Sequence, residues 1–196
     1  MGLAPKLLKF KTASPVIASY SFSELSSGTS IQKYYPLVSK DDSGDTYNLV
    51  EDPQDSYTIQ SNSINGTVTL TFDSSEFNLS REVKGVGYLL AHVYESNNAH
   101  ITVKLQKWDG SSTTDISAVI TSGAGVVGET KAFYLEIPVT TPVVINAGEQ
   151  IRAVITYVAT GIGNNKLGHS PTNQTSPTGN LSNTQMILGV PFNPNI

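Results

Sequence analysis

With 196 residues, no cysteine and a formal net charge of −4, the chain can bury one substantial core, and it must hold that core by burial because disulfides and thiolate metal sites are closed to it. Only 14% of its residues are charged, against roughly 25% in ordinary soluble domains, and Ser, Thr, Asn and Gly fill the polar positions. The acids gather between Asp41 and Asp55, there is no Lys/Arg block to neutralise phosphates, and no apolar run reaches membrane-spanning length, so neither nucleic acid nor membrane is an expected partner.

Residues 1–14 read as an N-terminal arm. Pro5 and Pro15 bracket a Lys/Leu stretch too short for a dependable helix, and charge and proline break the continuous apolar run that a secretory signal needs. Leu3, Leu7, Leu8 and Phe10 stand there among Lys6, Lys9 and Lys11, with no strand period tying them to the rest of the chain. Residues 15–196 read as one domain of short strand-like runs. These fall at 16–25, 31–38, 57–60, 67–72, 83–94, 100–108, 115–121, 131–137, 150–159 and 184–190. Between them lie Asn65-Gly66, Asp109-Gly110, Gly123-Ala124-Gly125, Asn146-Ala147-Gly148 and Gly161-Ile162-Gly163, all turn chemistry. An acidic loop at 41–55 and a long Asn/Gly/Thr/Ser/Pro-rich loop at 161–183 complete the order. A connection as long as the second usually binds something or packs on a partner.

Two phrases carry the strongest strand signal, Ile101 to Gly110 and Val143 to Ile155, each alternating apolar and polar side chains beside a tight turn and each predicting a β-hairpin. The expected fold is all-β, an antiparallel two-sheet β-sandwich of jelly-roll type, because the strand count and long connections exceed what an immunoglobulin-like domain uses. Its core should take Ile101, Val103, Leu105, Phe133, Leu135, Ile137, Ile151, Ala153 and Ile155, which share the two-residue period of a half-buried strand.

Catalytic chemistry is sparse. No Gly-x-Ser-x-Gly elbow occurs, and His169 and Ser170 are adjacent rather than arranged as triad members. Glycosidases need only two carboxylates about 5 to 10 Å apart, so the sixteen acidic residues make glycan hydrolysis the enzymatic alternative. Trp108 precedes a turn, where it is expected to cap the core, with sugar stacking as the other reading. The acids of Asp41-Asp42-Ser43-Gly44-Asp45 lack the spacing of an EF-hand, and His92 and His100, placed to face each other across a hairpin, lack a third ligand. No metal or cofactor is expected. The sequons at Asn65, Asn78, Asn173 and Asn180 arise from a composition rich in Asn, Ser and Thr.

The early Ile17-Ala18-Ser19-Tyr20-Ser21-Phe22 strand and the phrases Val103 to Ser111 and Asn146 to Arg152 resemble the small jelly-roll structural proteins encoded beside capsid genes in tailed bacteriophages. So does the ending His169-Ser170-Pro171-Thr172-Asn173-Gln174 followed by Pro191-Phe192, with Ser170 where similar sequences carry an acid. The resemblance implies a virion structural protein without enzymatic activity, a decoration or auxiliary protein on the head surface or the base of a head fibre, assembled in the host cytoplasm. It implies a homotrimer bound to the major capsid protein or other virion proteins. Leu7, Leu8, Phe10, His169, Pro171 and Phe192 are the candidate interaction residues. A carbohydrate-binding module or receptor-binding adhesin, with a surface glycan as ligand, is the alternative, and an exposed aromatic platform would mark it.

Overall fold

Alternating side chains become strands throughout the described part of the chain, which in this computed structural model comprises residues 30–40, 46–51, 66–94, 99–124, 130–159, 166–169 and 186–193. In chain order the strands are β1 (Ser30–Lys40), β2 (Tyr47–Val50), β3 (Thr67–Ser74), β4 (Arg81–Tyr94), β5 (Ala99–Trp108) and β6 (Thr113–Asp115). Next come β7 (Ile120–Thr121), β8 (Thr130–Ile145), β9 (Gln150–Ala159), β10 (Lys166–Gly168) and β11 (Ile187–Asn193). No helix occurs among the described residues. The runs expected at 16–25 and 57–60, the arm, the acidic-loop residues 41–45 and most of the 161–183 loop lie outside them.

Hydrogen bonding joins the strands in the order β10-β4-β11-β1-β2-β3-β9-β5-β6, with β7 also on β5 and β8 on the other side of β4. The chain is therefore all-β as expected. Its sheet is mixed, because β2 and β3 run parallel while the remaining pairs are antiparallel. β1 is shared between the two halves of the path, its first residues pairing with β11 (Tyr34 opposite Leu188) and its later ones with β2 (Tyr35 opposite Val50). The sheet curls there, and side chains from both halves enter one hydrophobic core. All nine expected core residues are buried, none more than 5% exposed. Each large aliphatic side chain so placed contributes about 1.5–3 kcal/mol.

The hairpin predicted at 101–110 forms, Trp108 pairing with Thr113 across a turn that Asp109 closes. Its Oδ2 accepts the Ser112 hydroxyl (2.7 Å) and its Oδ1 the N–H groups of Ser112 (2.7 Å) and Ser111 (2.8 Å), and these bonds, the Ser112 hydroxyl's foremost, hold the carboxyl well below the usual range.

The second predicted hairpin does not form. Val143 and Ile145 end β8, which pairs with β4, whereas the chain after the turn pairs as β9 with β3 and β5. This turn is satisfied without strand partners: Glu149 accepts the Asn146 N–H at 2.7 Å, and the turn exchanges Gly148 N–H to Phe77 O (2.8 Å) and Phe77 N–H to Glu149 O (3.0 Å) with the loop between β3 and β4. Two crossing connections are thus tied side by side.

Two further boundaries differ from expectation. The runs read as 131–137 and 143–145 belong to one strand, interrupted where Val83 pairs with Val143 but Gly85 with Val139. Gly85 takes φ 115° at this bulge, a conformation costly for other residues, and Pro142 occupies the extra stretch where a missing N–H matters least. The run read as 115–121 is split into β6 and β7 because Ser117 and Ser122 replace backbone with hydroxyl, Ser117 Oγ accepting Leu105 N–H and Ser122 Oγ accepting Ile101 N–H, both at 3.0 Å.

Candidate functional site

His169 and Phe192, expected at an interaction surface, are both interior. His169 is 1% exposed, its ring edge-on to Tyr47 (5.0 Å) and Phe72 (5.1 Å), with Nδ1 3.1 Å from the Leu37 carbonyl. A carbonyl only accepts, so Nδ1 carries the proton and donates it. Nε2 is left as a buried lone pair without a partner among the described residues. Burial pushes the imidazole pKa down to about 4, against the opposing effect of the Leu37 bond. Phe192 is 2% exposed and packs on Phe77 at 5.7 Å, with the Arg81 guanidinium over both rings. Aromatic residues beside prolines look like loop tips in a sequence, whereas β11 inserts between β1 and β4 and turns Phe192 inward. Leu7, Leu8, Phe10 and Pro171 lie outside the described residues.

The outer face of β3, β9, β5 and β6 is a polar ladder. Register places Asp73 opposite Arg152, Arg152 opposite Gln106 and Gln106 opposite Asp115. Arg152 donates Nε and Nη2 to Asp73 at 2.7 and 2.6 Å, Gln106 donates to Asp115 at 2.8 Å, and Lys104 pairs with Asp115 at 2.9 Å. Trp108 is half-buried on this face, 4.2 Å from the Arg152 guanidinium, so it caps an ion pair and not the core. Gln106 first, then Lys104, holds the Asp115 carboxyl below its ordinary value. Asn146 does the same for Glu149, assisted by Lys107 at 3.2 Å. His92 and His100 do not face each other, since β4 and β5 do not pair: His92 stands opposite Ala132 and Gly168, His100 opposite Val158. No group of three or more potential ligands that could hold a metal ion occurs among the described residues.

The outer face of β4 and β8 is different in kind. Val86 stands opposite Pro138, Tyr88 opposite Glu136 and Leu90 opposite Tyr134. Tyr134 is 63% exposed and Val86 52%, on a surface where a solvated sheet carries polar residues. The Tyr88 and Tyr134 rings meet diagonally across the strands, centroids 5.6 Å apart and planes 21° from parallel. On the other side of β4, Gly189 of β11 is opposite Tyr88, and a Cβ there would overlap its ring. Glycine at 189 is what lets Tyr88 lie as it does. The signal was present in the sequence: residues 86–91 read Val-Gly-Tyr-Leu-Leu-Ala, apolar at successive positions where a half-buried strand alternates.

No protein-family model matches the chain, and no curated protein does. Among solved structures it is similar to a CocE/NonD family hydrolase from Staphylococcus aureus, with a TM-score of 0.50, 9% identity and coverage of 83% of this chain and 37% of that one. It is similar also to an alpha-amino acid ester hydrolase, with a TM-score of 0.50, 11% identity and coverage of 83% and 36%. The chain spans little more than a third of either protein, and at such identity the likeness is one of fold.

Proposed function

We propose that the chain is a bacteriophage virion structural protein, a head decoration or auxiliary protein that acts by binding the major capsid protein or its neighbours. In this reading the curled sheet is a jelly-roll-like sandwich of two sheets hinged at β1, and the working form is a homotrimer. The observation that favours it over the enzymatic alternative is the state of four carboxylates among the described residues. Glycan cleavage, the enzymatic alternative, needs an acid whose pKa is raised so that it holds a proton at neutral pH. Asp109, Asp115 and Glu149 are instead held low by hydrogen bonds and ion pairs, and Asp73 is committed to Arg152. Groups locked in this way stiffen a sheet, which suits a protein that clamps its neighbours.

The test is mass spectrometry of purified virions together with co-sedimentation of the purified chain with heads assembled from the major capsid protein. Saturable retention on heads is expected. Absence from virions combined with no retention refutes the proposal.

A further inference from the structure

We infer that the outer face of β4 and β8 binds a pyranose-containing glycan, with Tyr134 as the stacking ring, Tyr88 stacked against it as its support and Glu136 as the hydroxyl acceptor. The face differs from the polar ladder in two respects. Its rings are nearly parallel and outward, and Tyr134 is largely open. Its carboxylate has no partner among the described residues, whereas Asp73 and Asp115 are saturated by Arg152, Gln106 and Lys104. Glu136 is two residues from Tyr134 on the same face of β8 and directly opposite Tyr88, so the acceptor borders both rings.

That combination matches the chemistry of a sugar ring, which turns a patch of C–H groups to an aromatic face and hydroxyl donors outward to the rim. The small apolar area weighs against a protein partner. At 63% exposure Tyr134 offers on the order of 130 Å². Val86 and Val144 add to the apolar stripe, yet three half-open side chains fall short of the roughly 450 Å² of apolar surface that a partner contributes to a standard protein interface. The platform is built before any ligand arrives, because Gly189 clears the space over β11 that the Tyr88 ring fills.

Glycan binding does not depend on where the protein resides, and head binding can fail while it holds. A glycan array followed by saturation-transfer NMR with glucose, galactose, rhamnose and N-acetylglucosamine tests it. At least one of these sugars, or an array glycan containing it, should bind, with transfer strongest to protons on one face of the ring. Tyr134→Ala should weaken binding at least tenfold, Tyr134→Phe less than threefold, and Glu136→Gln several-fold. Gly189→Ala should weaken it like Tyr88→Ala while circular dichroism stays unchanged. No binding at millimolar sugar, or binding indifferent to Tyr134→Ala, overturns the inference. So does loss of head retention or of oligomeric mass in Tyr134→Ala without any glycan effect, which assigns the face to a protein.

Discussion

At His169 a buried imidazole makes stability depend on pH in a window that opens well above the carboxylate range. Its pKa falls from an ordinary 6.5 to about 4 on folding, so between these values the unfolded chain binds the additional proton. Stability from this group is complete above pH 6.5, declines as the pH falls and is lost below about 4, a total of about 3 kcal/mol. Urea midpoints should therefore drop steadily from pH 7 to 4, and His169→Phe should flatten that slope. Asp115 and Glu149, whose values are lowered, add their losses only as pH falls through the acid range below their ordinary pKa values. A midpoint constant from pH 7 to 4 in the parent protein contradicts the assignment. Phe192 supports a second expectation, since a ring packed on Phe77 and covered by Arg81 leaves a cavity when removed. Phe192→Ala should cost about 3–5 kcal/mol in urea unfolding at pH 7, whatever it does to partner binding.

Among the elements, β9 shows how a strand locks its neighbours: Ile151, Ala153, Ile155 and Tyr157 enter the core while Arg152 reaches across to Asp73 beneath Trp108. Asp73→Ala should lower stability by about 1–3 kcal/mol, because among the described residues it leaves a largely shielded guanidinium with the indole ring alone. Asp73→Ala combined with Arg152→Met should recover part of that loss, measurable by the same unfolding curves. The core faces of β5, β8 and β9 were legible because period two is a local property. The pairing of those strands was not. Nothing local distinguishes a turn that returns a strand to its partner, as at Asp109, from one that sends the chain to another part of the sheet, as at Asn146, since both are rich in Asn, Asp and Gly. The difference lies in Phe77, 69 residues before Asn146 in the sequence, whose backbone meets the second turn. Of the aromatic face, the apolar run at 86–91 marks the β4 side alone, and Tyr88 and Tyr134 become neighbours only through the register between strands.

For the molecule as a whole, the proposed trimer has a direct measure: light scattering should give three times the chain mass of 20.9 kDa. Deleting residues 2–12 should lower retention on heads if the arm is an anchor, while the circular dichroism of the body stays that of a β protein. The shared strand β1 also bears on how the chain reaches this state. Its first residue pairs with Phe192 and its later ones with β2, so the sheet closes only between segments at opposite ends of the described sequence. On a ribosome, β1 and β4 would wait with open edges until residues 187–193 emerge, and closing so large a loop is slow. Nascent chains stalled before residue 187 should stay protease-sensitive and prone to associate through those edges, and protection should arrive in one late step as β11 slides between β1 and β4.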